Sequence, residues 1–233
     1  MKSIKICRVK MTYLDHFFAE KLPIPCFHES YGEFFFNWSI ETSKQFMKHL
    51  MTMQPTKFYI TSSTEIEAVT SKKELFFTIM ESYNKLGNKK IDKFELVSVI
   101  PFIVGNNFEE VLSLSLKYFC LENEGKEIIT KDEFGLFLDC FFRAVHCIVI
   151  LDKEDHVYQK TNGNLIKLAE NELDELLDNI FRDEKNNKVD KIEIEKLIKN
   201  IPENFLKILK NINNAFHDSM VYYEKKIKEE NKI

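Results

Sequence analysis

Glu122-Asn-Glu-Gly-Lys-Glu-Ile-Ile-Thr-Lys-Asp-Glu133 is the middle one of three polar stretches set in a common frame. The others are Asn84-Lys-Leu-Gly-Asn-Lys-Lys-Ile-Asp-Lys-Phe-Glu95 and Arg182-Asp-Glu-Lys-Asn-Asn-Lys-Val-Asp-Lys-Ile-Glu193. Each follows an apolar residue (Tyr83, Leu121, Phe181), places a β-branched residue at its eighth position (Ile91, Ile129, Val189) and ends on glutamate. Apolar residues at helical spacing flank all three, such as Leu75, Phe76, Ile79 and Met80 before the first and Ile194, Leu197 and Ile198 after the last. The pattern predicts helix, loop and helix, repeated three times. Asp92 with Glu95, Thr130 with Glu133 and Asp190 with Glu193 are spaced as capping boxes for the exiting helices.

This frame resembles that of the EF-hand superfamily over roughly half of the chain. The resemblance implies that position eight of one loop meets its counterpart through a short β-bridge. It also implies that the glutamate at position twelve offers both oxygens to a calcium ion. The loops begin at residues 84, 122 and 182, a short gap followed by a longer one. That layout is similar to the second, third and fourth hands of the neuronal-calcium-sensor and calaxin-like type. A worn first hand is then expected in the aromatic-rich region 1–70, with Ile40 as its bridge residue and Thr42 with Gln45 capping a helix. The expected fold class is all-α: paired helix–loop–helix units with short β-bridges, plus a long C-terminal helix. Its parts are two units over 71–151, a connector over 152–168, a third unit over 169–200 and an amphipathic helix over 202–231, with Pro202 as its first residue.

Calcium needs six to eight oxygens, and the ligand positions here are poorly furnished. The first loop offers Asn84, Asn88, Asp92 and Glu95, but Leu86 and Lys89 stand at a ligand and the turn position. The second offers Glu122, Glu124 and Glu133, with Lys126 at the fifth position. The third offers Glu184, Asn186, Asp190 and Glu193, with Asn187 suited to a left-handed turn and Arg182 pointing a cation at position one. No cofactor is therefore expected to be required, and any calcium is expected to bind more weakly than about 10⁻⁴ M.

The chain of 233 residues is 44% hydrophobic and 30% charged with a formal net charge of −4, which argues against nucleic-acid binding. Cys7, Cys26, Cys120, Cys140 and Cys147 form no CxxC pair and read as reduced thiols of a cytoplasmic protein. The N-terminus shows no secretory apolar run, and Lys2 stands where a myristoylated chain has glycine. Asn37-Trp38-Ser39 is accordingly read as a coincidental sequon. The apolar run from Phe134 to Leu151 is interrupted by Asp139, Arg143 and His146, so a buried helix is expected rather than membrane insertion.

Catalysis is not expected. The sequence has no Gly-rich phosphate loop or nucleophile elbow, and the pairs Cys140/His146 and Cys26/His28 lack a third group. Paired EF-hands hold amphipathic helices in an apolar groove, so the resemblance implies a partner's helical segment as ligand. Phe137, Phe141, Phe142 and Val145 are candidates for that surface. Phe205, Ile208, Ile212 and Phe216 lie on a C-terminal stripe that serves either the partner site or the chain's own groove. The expected role is a structural or adaptor subunit, and the resemblance to calaxin-like proteins implies a ciliary or cytoskeletal assembly. A low-affinity calcium sensor is the alternative.

Overall fold

The computed structural model describes residues 24–27, 29–35, 37–52, 59–60, 91–122, 126–148 and 170–231. The protein is mostly helical. Its helices are α1 (Glu29–Phe35), α2 (Ile40–Thr52), α3 (Lys93–Val104), α4 (Phe108–Lys117), α5 (Lys131–Ile148), α6 (Glu170–Ile180), α7 (Ile194–Asn200) and α8 (Glu203–Glu230). Four short strands are β1 (Tyr59–Ile60), β2 (Ile91–Asp92), β3 (Ile128–Thr130) and β4 (Lys191–Glu193). The expected helix over 75–83 and the connector 152–168 lie outside the described residues. No described helix is long and apolar enough to cross a membrane.

The strands form two antiparallel ladders. β1 pairs with β2, setting Ile60 opposite Ile91, and β3 pairs with β4, setting Ile129 opposite Ile192. Both registers correct the sequence reading. Ile40 does not bridge. It is the first residue of α2, because Ser39 Oγ accepts the Thr42 amide at 3.1 Å and starts that helix a turn before the expected Thr42/Gln45 cap.

In the third loop the bridge falls on Ile192 rather than Val189. A small hairpin inside the loop takes up the intervening chain, closed by the Arg182–Lys188 bridge and by Val189 N donating to Phe181 O at 3.1 Å. Burial selects this register. Ile192 retains 7% exposure, whereas Val189 is only partly covered. Glu193 consequently sits at the start of α7, exposed and making no side-chain cap, so the Asp190/Glu193 box does not form. The Thr130/Glu133 box does, with Glu133 N donating to Thr130 Oγ1 at 3.3 Å.

Helix α3 is the hub, buried at every residue from Lys93 to Ile103 and packed by α2, α4, α5 and α8. It runs through Pro101, which the sequence marks as a kink or an end, and stops at Gly105. The carbonyls left over at its C-terminus need donors from elsewhere. Asn213 of α8 supplies them, its Nδ2 donating to Phe102 O at 2.9 Å and Gly105 O at 2.8 Å.

Further along, α8 lies on the N-terminal segment. Cys26 N donates to Ser219 Oγ at 2.8 Å, Tyr223 Oη donates to Phe27 O at 2.9 Å, and Lys226 pairs with Glu29. The Tyr223 ring presses on Gly32, where an added Cβ would lie 2.4 Å from ring carbons.

Gly32→Ala should therefore destabilise the protein by about 1–3 kcal/mol through overpacking. At Gly135 a Cβ would meet only Leu177 Cδ1 at 3.6 Å. Gly135→Ala should accordingly stabilise by roughly 0.5–1 kcal/mol through helix propensity. Denaturant unfolding of the two variants checks the opposite signs.

Candidate functional site

Strand pairing brings loops together, and α5 connects them to the core. What the loops' acidic and carbonyl oxygens face is therefore set by the protein's own donors. Asn84, Asn88 and Glu124 lie outside the described residues.

In the first loop Asp92 caps α3, accepting the Phe94 amide at 2.9 Å, and Glu95 is buried at the start of the helix. Arg143 of α5 reaches both. Its Nε lies 3.0 Å from Glu95 Oε1, and its Nη2 lies 3.3 Å from Asp139 Oδ2 and 3.8 Å from Asp92 Oδ2. The Nε contact is an ion pair rather than a directed hydrogen bond, and Asp139 Oδ1 also has no hydrogen-bond partner among the described residues. One guanidinium thus serves three carboxylates. Burial pushes the Asp139 carboxyl up to about 6 against the pull of Arg143, and burial raises that of Asp92 as well.

The second loop is closed by Glu133, which is 6% exposed. Its Oε1 accepts the Glu122 amide and its Oε2 accepts the Thr130 amide, both at 2.7 Å. Both oxygens of the position-twelve carboxylate are therefore engaged by the loop itself. The side chain of Glu122 is exposed, and only its backbone takes part.

In the third loop Asp183 organises the turn, its Oδ1 accepting the Lys185 and Asn187 amides at 2.8 Å each. Asn186 takes the left-handed conformation at φ 64°, the place expected for Asn187. Glu184 is exposed and pairs with Lys196, while Asp190 and Glu193 are exposed. Arg182 donates to Asp178 O at 3.0 Å and to Asn186 O and Oδ1 at 3.2 Å each. Lys131 and Lys188 grip the Asp178 carboxylate at 2.6 and 2.5 Å, and those hydrogen bonds hold its pKa down to about 2.

Among the described residues no three His, Cys, Asp or Glu side chains converge as a metal-holding group.

The residues offered for a partner surface or for the chain's own groove are enclosed within the chain. Phe137, Phe141, Phe142 and Val145 are buried, and so are Phe205, Ile208, Ile212 and Phe216. Helix α3 takes most of the α5 face, the Phe102 and Phe141 rings meeting at 4.5 Å between centroids, while α8 packs on α3 and touches α5 where Phe205 meets Phe142 at 6.2 Å. Covering both stripes at once removes more apolar area from water than leaving either open, which is why the internal occupant wins.

The described thiols, Cys26, Cys120 and Cys140, are equally enclosed. Burial lifts Cys26 to about 11 and holds Cys140 well above the ordinary thiol range. His28 and the side chains of His146 and Cys147 lie outside what is described.

The sequence reading treats Arg143 and Asp139 only as interruptions of an apolar run. Their spacing of four on an otherwise apolar helix is the signal that marks a buried pair. Asn213 gives a weaker signal, a lone amide within the apolar stripe of α8. Comparison of the chain with protein-family models, curated proteins and solved structures finds no match.

The Asp139 geometry makes stability depend on pH. The folded chain keeps this proton up to about pH 6, while the unfolded chain releases it near 3.8. The stabilising contribution is complete below pH 4 and is lost as the pH rises through 6. Asp139→Asn should remove this fall and gain about 1–3 kcal/mol at pH 7, since Arg143 keeps Glu95 and Asp92. Urea unfolding of both proteins from pH 4 to 8 measures it.

Proposed function

We propose that the chain is a non-enzymatic EF-hand-type structural or adaptor protein whose loops are held shut by its own donors instead of calcium. On this reading the ladders that set Ile60 opposite Ile91 and Ile129 opposite Ile192 would each join two hands back to back. The observation that carries the reading is Glu133, whose two carboxylate oxygens are taken by the Glu122 and Thr130 amides.

An ion entering that loop has to displace both bonds. Hydrogen bonds to charged groups are worth about 1.5–3 kcal/mol each, so the loss is roughly 3–6 kcal/mol. That is about 10²–10⁴ in affinity, enough to move a sensor-like site to the weak end of the EF-hand range. Arg143 supports the same reading at the first loop by supplying positive charge to Asp92 and Glu95.

A shape that ignores calcium suits a constitutive subunit of a larger assembly. A partner's amphipathic helix reaches the apolar face of α5 only by displacing helices of the chain itself, chiefly α3. A cytoplasmic setting, and a ciliary or cytoskeletal host, rest on the family resemblance alone.

The alternative, a low-affinity calcium sensor, is favoured by one feature: Glu133 already stands buried at the loop's twelfth position.

Calorimetric titration of calcium into the full chain, with magnesium present, should give no saturable heat up to about 1 mM. The emission of Trp38, packed edge-on against Phe35 at 4.9 Å, should stay constant in parallel. Saturation at micromolar calcium would overturn the proposal, and its loss in Glu133→Gln would assign it to the second loop.

A further inference from the structure

We propose that Arg182 is a tethered cation, its guanidinium holding the third loop in the way a bound ion holds a loop of this type. The inference rests on the reading above and adds a device to it. Most buried or half-buried arginines answer a carboxylate. Arg182 has no carboxylate partner among the described residues. Its three acceptors are neutral: the carbonyl oxygen of Asp178 and both the carbonyl and side-chain oxygens of Asn186.

These acceptors come from two places that need to be held together. Asp178 O belongs to the last turn of α6, where helix carbonyls are left without amide partners and a cation is favoured. Asn186 is the left-handed residue at the tip of the loop hairpin. The nearby carboxylates are answered elsewhere, Asp178 by Lys131 and Lys188 and Asp183 by the Asn187 and Lys185 amides. The guanidinium is left to join the helix end to the turn.

Directly beyond Asn186, Val189 N closes on Phe181 O and the chain enters β4 in register with β3. Arg182 thereby fixes the register that places Ile192 in the core. Because the cation is covalent, the loop stays closed at every calcium concentration.

The test is amide exchange at Asn186, Asn187 and Val189 in the full chain. Arg182→Ala should speed these amides by about tenfold or more, the equivalent of one to two hydrogen bonds. Methylguanidinium at about 20 mM should restore much of the protection by occupying the vacated position, and urea at the same concentration should not. Unchanged exchange in Arg182→Ala, or equal effects of the two additives, would overturn the proposal. Should that variant fail to fold, Arg182→Lys and Arg182→Met carry the same test. Lysine should retain more protection than methionine, and equal exchange would sink the idea. Calcium binding by the wild-type chain at the second loop would defeat the calcium-independent reading and leave Arg182's role intact. Unchanged exchange in the variants would do the reverse.

Discussion

Helix α3 has no solvent-facing side, and a fully enclosed helix must find donors for the carbonyls at its C-terminal end inside the protein. Asn213 provides them, from the middle of α8. That contact constrains much else. It fixes α8 along its axis, so that Phe205 meets Phe142 at one end and Tyr223 lies over Gly32 at the other. With α8 in this position Phe142 of α5 gains Phe205 as a neighbour, and the N-terminal residues Cys26 and Phe27 acquire a surface to bind. The hydrophobic terms are large and undirected, whereas the amide contact is small and specific.

A second constraint acts on the acidic and carbonyl oxygens of the described loop residues, each of which needs a donor. Each loop meets it by different means. Asp92 and Glu95 share the guanidinium of Arg143, Glu133 takes two backbone amides, and Asn186 takes the guanidinium of Arg182. Each of these donors belongs to the protein itself. Enclosing a carboxylate beside Arg143 carries a cost, visible in the upward shift that burial, with a smaller push from Asp92, gives Asp139.

The sequence makes the helices and their order legible, because apolar periodicity in α5 and α8 reports which faces are covered. It does not report what covers them, so Phe137 and Phe205 read equally as core or as docking surface. Register in the third loop fails for a related reason. Val189 and Ile192 are both β-branched and three residues apart, and either satisfies the frame. The decision lies in the Asp183–Asn187 turn, whose side-chain to backbone bonds lengthen the loop without altering its composition. Ile40 misleads similarly, since the cap at Ser39 depends on a single hydroxyl contact. Ion-pair partners from distant helices, such as Arg143 with Glu95, leave no local pattern at all.

The account depends on carboxylate oxygens being occupied by the protein's own donors. Amide NMR of the labelled full chain, recorded with chelator and then with excess calcium, tests it most directly at Glu122 and Thr130. Both amides should keep the downfield positions of strong hydrogen bonds to Glu133, unchanged by calcium. Calcium-dependent movement of these two resonances, with release of the Glu133 contacts, would contradict it.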